Sequence, residues 1–106
     1  MHTDHAVFIE GIEGQQKIQL TFHSKEDGHS LVRLCAPMDF GPSTRTLDQS
    51  DRYHFWDYDS DTGSHTLSLL PQQVQSIAAT EISFEPSEFV TWPPNWIYPR
   101  NWGALS

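Results

Sequence analysis

The residues best suited to chemistry lie within residues 52–69, RYHFWDYDSDTGSHTLSL. His54, His65 and Asp57 could approach one another if this stretch folds back on itself, and two histidines with a carboxylate are a common zinc ligand set. The chain has neither an HExxH nor a CxxC signature to fix the spacing of such ligands. Separate surface histidines are therefore the favoured interpretation, and a zinc site is the weaker alternative.

The same stretch carries alternating carboxylates followed by a glycine: Asp57, Asp59, Asp61 and Gly63. This order is similar to the start of a calcium-binding loop. Such a loop requires glycine at its sixth position and glutamate at its twelfth, where this chain has Thr62 and Ser68. A solvated acidic hairpin tip is the favoured interpretation, and we expect no cofactor.

Cys35 is the one cysteine of the chain, which excludes an internal disulfide and fits a reducing compartment. Together with a histidine and Asp39 it could act as a thiol nucleophile. A lone cysteine in a predicted strand is more typical of a small buried residue, and no base stands at a defined spacing from it. An enzyme using Cys35, or a metal-dependent one using His54, His65 and Asp57, is thus the alternative to a non-enzymatic function.

Half of the six cations, Arg33, Arg45 and Arg52, could converge on one anionic ligand. His54 and Trp56 would lie beside them. Guanidinium groups bind anions bidentately and stack on indole rings, so such a set could bind an anion. Ordinary ion pairs with the neighbouring aspartates are the alternative. We predict that these five residues form an aromatic and arginine face that binds a protein segment or a small anionic ligand.

Periodicity predicts a mainly β domain that positions these residues. Residues 52–69 are typical of a β-hairpin in which Tyr53, Phe55 and Asp57 face one side of the first strand. Ile18, Leu20 and Phe22 alternate with polar residues in the same way, as expected of a strand with one wet face. A strand over residues 31–36 would return from it.

Two breakers define the predicted ends of elements. Thr3 or Asp4 is predicted to cap a short helix that runs to about Glu10, and Gly11 and Gly14 end it. Pro37 stops the strand over residues 31–36 because it has no N–H to donate, and residues 38–51 then form a long loop. The predicted fold is a small SH3-like or Sm-like five-stranded barrel with a short N-terminal helix.

The C-terminal residues 92–106 form an unusual arm in which three prolines forbid a regular helix. Its three tryptophans have too much apolar area to remain in water. We expect residues 1–91 to form the barrel domain, with the arm docked either on that barrel or on a second copy in a homodimer.

The order of these patterns resembles a divergent WYL domain, a module found mostly in bacterial transcription regulators. The resemblance spans about residues 7–84 and rests on five segments: Ile18-x-Leu20-x-Phe22, Arg33-Leu34-Cys35-Ala36-Pro37, Tyr53-His54-Phe55, Gly63 and Gln73-Val74. It implies an SH3-like or Sm-like barrel, and a nucleic-acid or nucleotide-like ligand held by arginines on the last strands. In this chain those positions are His65, Ser68 and Gln73. Their side chains cannot bind phosphate with the charged, bidentate hydrogen bonds that arginine makes. The resemblance therefore carries the fold, while the ligand stays open.

Length and charge limit the function classes. The 106 residues suit one domain, and the net charge of −8 comes with no Lys or Arg between Arg52 and Arg100. Because nucleic-acid binding depends on clustered cations, half of the chain cannot contribute to it, and duplex binding is disfavoured. No segment has the pattern of a signal peptide or a membrane span, so we expect a cytoplasmic protein that does not bind membranes.

Overall fold

A computed structural model describes residues 1–43, 47–59 and 65–106 of the protein. The described residues form one α-helix, five strands and three short 3₁₀ turns. The helix and strands are α1 (His5–Gly14), β1 (Gln16–Ser24), β2 (His29–Gly41), β3 (Arg52–Asp57), β4 (His65–Leu69) and β5 (Val74–Ser83). The strands form one antiparallel sheet in the order β4-β3-β2-β1-β5. The predicted mainly β class, with five strands and a short N-terminal helix, is confirmed.

The period-two patterns place the hydrophobic core as predicted. Ile18, Leu20 and Phe22 of β1 are buried, and so are Tyr53 and Phe55 of β3. Helix α1 covers this side of the sheet, where Phe8 and Ile12 are fully buried. Edge-on ring contacts of Phe8 with Tyr53 and Phe55 join the helix to β3, with ring centres 5.0 and 5.3 Å apart.

Helix α1 continues past Gly11, so the predicted end near Glu10 is wrong, but it does end at Gly14, the second of the two predicted glycines. Gly11 is buried against β2, and a Cβ at this position would lie 2.9 Å from Cγ of Pro37. Its role is thus the close approach of helix and strand, which outweighs its low helix propensity. The residue after the helix, Gln15, has a left-handed backbone conformation with φ of 53° and caps its C-terminus.

Strand β2 likewise continues through Pro37 to Gly41, which corrects the prediction of a loop from residue 38. The ladder with β1 ends at Cys35, so beyond it β2 pairs only with β3. The missing N–H of Pro37 therefore removes no bond to β1. The register shifts between Pro37 and Asp39, which marks a β-bulge at Met38.

The chain after β4 makes a 3₁₀ turn (Pro71–Gln73), then β5, a second 3₁₀ turn (Pro86–Glu88), and the C-terminal arm with a last turn (Gly103–Leu105). Among the described residues, no helix combines the length and the apolar character needed to span a bilayer.

Candidate ligand-binding site

A pocket of about 710 Å³ lies where the ends of β2, β3 and β4 face the C-terminal arm. The strands contribute a mostly polar wall of Met38, Asp39, Arg52, His54, Thr66 and Ser68. The arm contributes a more apolar wall of Trp92, Asn95, Trp96 and Ile97. Pro42 and Ser43, which follow β2, complete the lining. The volume lies within the range of pockets that hold small molecules.

His54 is held rigidly on the polar wall. It stands opposite Ser68 in the β3–β4 ladder, and its Nδ1 lies 2.8 Å from the Ser68 hydroxyl. Its Nε2 lies 2.9 Å from the carbonyl oxygen of Gly41, which can only accept a hydrogen bond. Nε2 must therefore carry the proton, and in the neutral ring Nδ1 accepts from the hydroxyl of Ser68. Both ring nitrogens are thus engaged, and His54 forms part of a fixed polar surface.

Arg52 begins β3 and keeps unused hydrogen-bonding capacity. Its side chain is 16% exposed, and its one charged contact in the described chain is Asp48, at 3.5 Å. The Nε atom is buried and has no hydrogen-bond partner among the described residues. A buried donor without a partner costs free energy. The rest of the guanidinium lines the pocket and is paired there only with Asp48 among the described residues.

The apolar wall is anchored through Asp39 on the bulge of β2. Its carboxylate accepts hydrogen bonds from the backbone N–H groups of Ile97 and Tyr98, each at 2.9 Å. The same carboxylate accepts from Arg100, whose Nη2 lies 3.2 Å from Oδ1. The bulge thus directs one carboxylate at three donors of the arm, and the arm contacts the sheet of the same chain.

Arg100 is enclosed by the arm itself. Its side chain is 0% exposed, and its guanidinium carbon lies 4.2 and 4.5 Å from the ring centres of Trp96 and Trp102. It also donates to the backbone oxygens of Met38 and Tyr98. Burial lowers the pKa of Arg100 to about 10, while the charge of Asp39 acts in the opposite direction, so the guanidinium stays charged at neutral pH.

Sequence reasoning missed Arg100 and Asp39 as partners. The two residues are 61 positions apart, and nothing local links them. The one available signal was the position of Arg100 between Trp96 and Trp102 in the sequence, because a cation among indoles often packs against their faces.

The predicted arginine and aromatic face divides into two places. Arg52 and His54 share the pocket wall, but Arg33 and Trp56 do not line it. Arg33 lies 3.8 Å from Asp57, at the opposite end of β3 from Arg52, roughly 16 Å away along the strand. Trp56 stacks on Phe89, with ring centres 5.7 Å apart.

Arg45 lies outside the described residues, so its part in the predicted face stays a prediction. Arg33 also donates to the backbone oxygen of Asp59. Its contacts correspond to the ion-pair alternative for this arginine.

Two ligands of the predicted metal site, His54 and Asp57, lie on opposite faces of β3. Asp57 is buried beside Arg33, and its carboxylate accepts from the backbone N–H of Asp59 at 2.9 Å. His54 points to the opposite side of the strand, as the alternation requires. His65 pairs with Asp57 in the ladder, and Asp61 lies outside the described residues. Within the described ranges, no three His, Cys, Asp or Glu side chains form a group that could hold a metal ion.

Cys35 is fully buried in the sheet between β1 and β3. Burial raises the pKa of its thiol, and the nearby carboxylates of Asp57 and Asp59 raise it further. A nucleophilic cysteine needs the opposite environment, exposed and with a lowered pKa. The thiol therefore behaves as a small core residue.

No family model and no curated protein matches this chain. Among solved structures, the chain is similar to part of the proteasome accessory factor B/C (PafBC) of Arthrobacter aurescens, with a TM-score of 0.59 and 14% sequence identity. The match covers 91% of this chain and 13% of that protein, so this chain spans a small part of its length. At this identity the similarity is one of fold.

Proposed function

We propose that the protein is a non-enzymatic binding module that holds a small anionic ligand in the pocket between the sheet and the C-terminal arm. Arg52 would provide the charge, with His54 and Ser68 beside it on the same wall. The observation that carries this proposal is the guanidinium of Arg52, which lines the pocket and whose one charged contact in the described chain is the exposed carboxylate of Asp48, at 3.5 Å. A carboxylate, sulfonate or phosphate oxygen in the pocket would accept a charge-assisted hydrogen bond from this guanidinium.

The charges around the pocket support an anion in spite of the net charge of −8. Asp39 also lines the pocket, but its carboxylate is bonded to Arg100 and to backbone N–H groups. The charge of Asp39 is therefore compensated, while Arg52 is paired only weakly with the exposed carboxylate of Asp48.

A small ligand fits the site better than a duplex. The pocket of about 710 Å³ is a concave site of small-molecule size, with polar groups on one side and apolar groups on the other. A duplex requires several cations along a surface, and residues 53–99 contain none. Recognition of a protein segment would place an acidic side chain or a chain-terminal carboxylate in the same pocket.

We also propose that the fold of this chain is related to that of WYL domains. The sequence resemblance supports it, and the similarity of fold to part of PafBC is compatible with it. A ligand-linked or nucleic-acid-linked regulatory role is the second candidate. Retention on a heparin column that falls steeply with salt would favour the nucleic-acid form of that role.

The test is a titration of the ¹⁵N-labelled protein with small carboxylates, sulfonates and phosphate monoesters, followed by NMR. The expected shifts cluster at Arg52, His54 and Ser68 and are absent with neutral amide or alcohol analogues. Arg52→Met should weaken binding about 10- to 100-fold, which corresponds to one lost charge-assisted hydrogen bond. Lys17→Met on β1 removes the same charge away from the pocket and should bind as the wild type does. Unchanged affinity of Arg52→Met would refute the proposal.

A further inference from the structure

Trp92 differs from the other two indoles of the arm because much of its ring is uncovered. It is 40% exposed and lines the pocket, and its one ring contact among the described residues is an edge contact with Trp96, with centres 6.3 Å apart. We infer, resting on the proposed function, that the ligand is an aryl anion whose planar ring lies on Trp92 while its anionic group binds Arg52.

The neighbouring indoles are already occupied. Trp102 is buried, donates its Nε1–H to the backbone oxygen of Ile12 at 2.8 Å, and packs edge-on against Phe84. Trp96 carries the guanidinium of Arg100 against its ring and donates its own Nε1–H to the backbone oxygen of Leu105. Trp92 is therefore the indole of the arm that has room for a ligand ring.

The residues next to Trp92 are conformationally constrained. Ile97 is fixed through its backbone N–H to Asp39, and its side chain packs over Gly41 so closely that a Cβ there would lie 2.5 Å from Ile97 Cδ1. Pro93 and Pro94 directly follow Trp92 and restrict its backbone. A ligand ring would thus meet a preorganised surface, which lowers the entropic cost of binding.

The chemistry of the two walls selects an amphipathic ligand. Arg52, His54 and Ser68 lie on one wall, and Trp92, Trp96 and Ile97 lie on the other. An inorganic anion would leave the indole of Trp92 exposed, and a neutral hydrocarbon would bring no negative charge to the guanidinium of Arg52. A planar ring that bears a carboxylate, sulfonate or phosphate satisfies both, because aromatic rings gain from offset or edge-on contact beyond their buried area.

The test compares three probes by isothermal titration calorimetry on the full chain. Naphthalene-2-carboxylate has both features, decahydronaphthalene-2-carboxylate keeps the anion and loses the planar ring, and naphthalene-2-carboxamide keeps the ring and loses the charge. The wild type should bind the naphthoate about 5-fold or more tighter than the saturated acid, the range expected of ring contacts. Trp92→Leu, which keeps an apolar side chain, should remove this preference, whereas Arg52→Met should weaken both acids.

The outcomes separate the two proposals. Equal affinity of the wild type for the two acids, or equal loss of both in Trp92→Leu, overturns the aryl inference while the anion site stands. Equal affinity for the naphthoate and its amide, or no effect of Arg52→Met, overturns the proposed function itself. If Trp92→Leu fails to fold, the wild type is tested by intermolecular nuclear Overhauser effects. Effects between the naphthoate and the indole of Trp92 would support the inference, and their absence would reject it.

Discussion

Removal of Arg100 should detach the C-terminal arm and dismantle one wall of the pocket. In Arg100→Met the carboxylate of Asp39 keeps its bonds to the backbone N–H groups of Ile97 and Tyr98 but loses its charged partner. Methionine retains an apolar stem between Trp96 and Trp102. The change therefore isolates the guanidinium and its contacts with the carboxylate and with the two ring faces.

The expected magnitude follows from burial. Breaking a buried ion pair by removing one partner costs about 3–5 kcal/mol, and we expect the lower end because Asp39 keeps backbone donors. A domain of this size has a total stability of about 5–15 kcal/mol. A loss of about 3 kcal/mol lowers the Tm by about 12 °C or more. If the arm detaches before the barrel unfolds, tryptophan emission shifts to the red below the main transition, because Trp102 leaves the core.

A double-mutant cycle measures the coupling. Urea unfolding is followed by fluorescence and by circular dichroism for the wild type, Arg100→Met, Asp39→Asn and the double variant. The double variant should lose about 2 kcal/mol less than the sum of the single losses, because each single change leaves a buried group without its partner. Arg52→Met is the matched control, since its partner Asp48 is 51% exposed and such a pair contributes at most about 1 kcal/mol.

Additive losses within about 0.5 kcal/mol would show that Asp39 and Arg100 do not act as a pair. A loss in Arg100→Met no larger than that in the Arg52→Met control would refute the reasoning that the buried guanidinium holds the arm.

Three further predictions concern the barrel. Gly11→Ala should lower the free energy of unfolding by about 1–3 kcal/mol in urea titrations despite the better helix propensity of alanine, whereas Gly14→Ala, with its nearest contact at 3.8 Å, should be neutral or stabilising. The thiol of Cys35 should react with a disulfide reagent at pH 8 only after unfolding, because burial raises its pKa. Burial and the N-terminal amino group lower the pKa of His5, which lies 3.0 Å from the hydroxyl of Tyr53. The unfolded chain then binds the proton more readily, so stability should fall as the pH drops below about 6.5, and His5→Gln should reduce this slope in urea titrations at pH 7.5, 6.5 and 5.5.

Each of these has a contrary result. Equal stabilisation by the two glycine substitutions would mean that the helix can move away from Pro37. Rapid labelling of Cys35 in the native protein would mean that the sheet opens readily. An unchanged pH slope in His5→Gln would assign the acid sensitivity to other groups.

The strands were readable from the sequence because a sheet with one buried face imposes a period of two. Ile18, Leu20 and Phe22 show this period, as do Tyr53 and Phe55, and all are buried. The sequence predicted the ends of the helix and strands less accurately. Gly11 and Pro37 disfavour helix and strand by local propensity, yet each lies inside an element. Gly11 lets the helix pack closely on β2, and Pro37 lies where β2 pairs only with β3.

The sequence predicted part of the candidate site. Arg52 and His54 were predicted together because they are two positions apart on one strand, and both line the pocket. Arg33 could not be assigned in the same way, since its distance from Arg52 depends on the 13-residue length of β2. Trp92 was noticed as an apolar residue that needs a partner, but its place opposite Arg52 depends on how the arm docks.

The sequence by itself determined the mainly β class, the inward face of β1 and β3 and the scarcity of cations in the second half, because composition and period are local properties. Only the tertiary structure decided the pairing of Asp39 with Arg100 and the pocket that this pairing closes. Such contacts join residues about 60 positions apart, and their geometry depends on a one-residue bulge in β2 that shifts the register. Local propensity carries no information about a shift that is set by packing across the sheet.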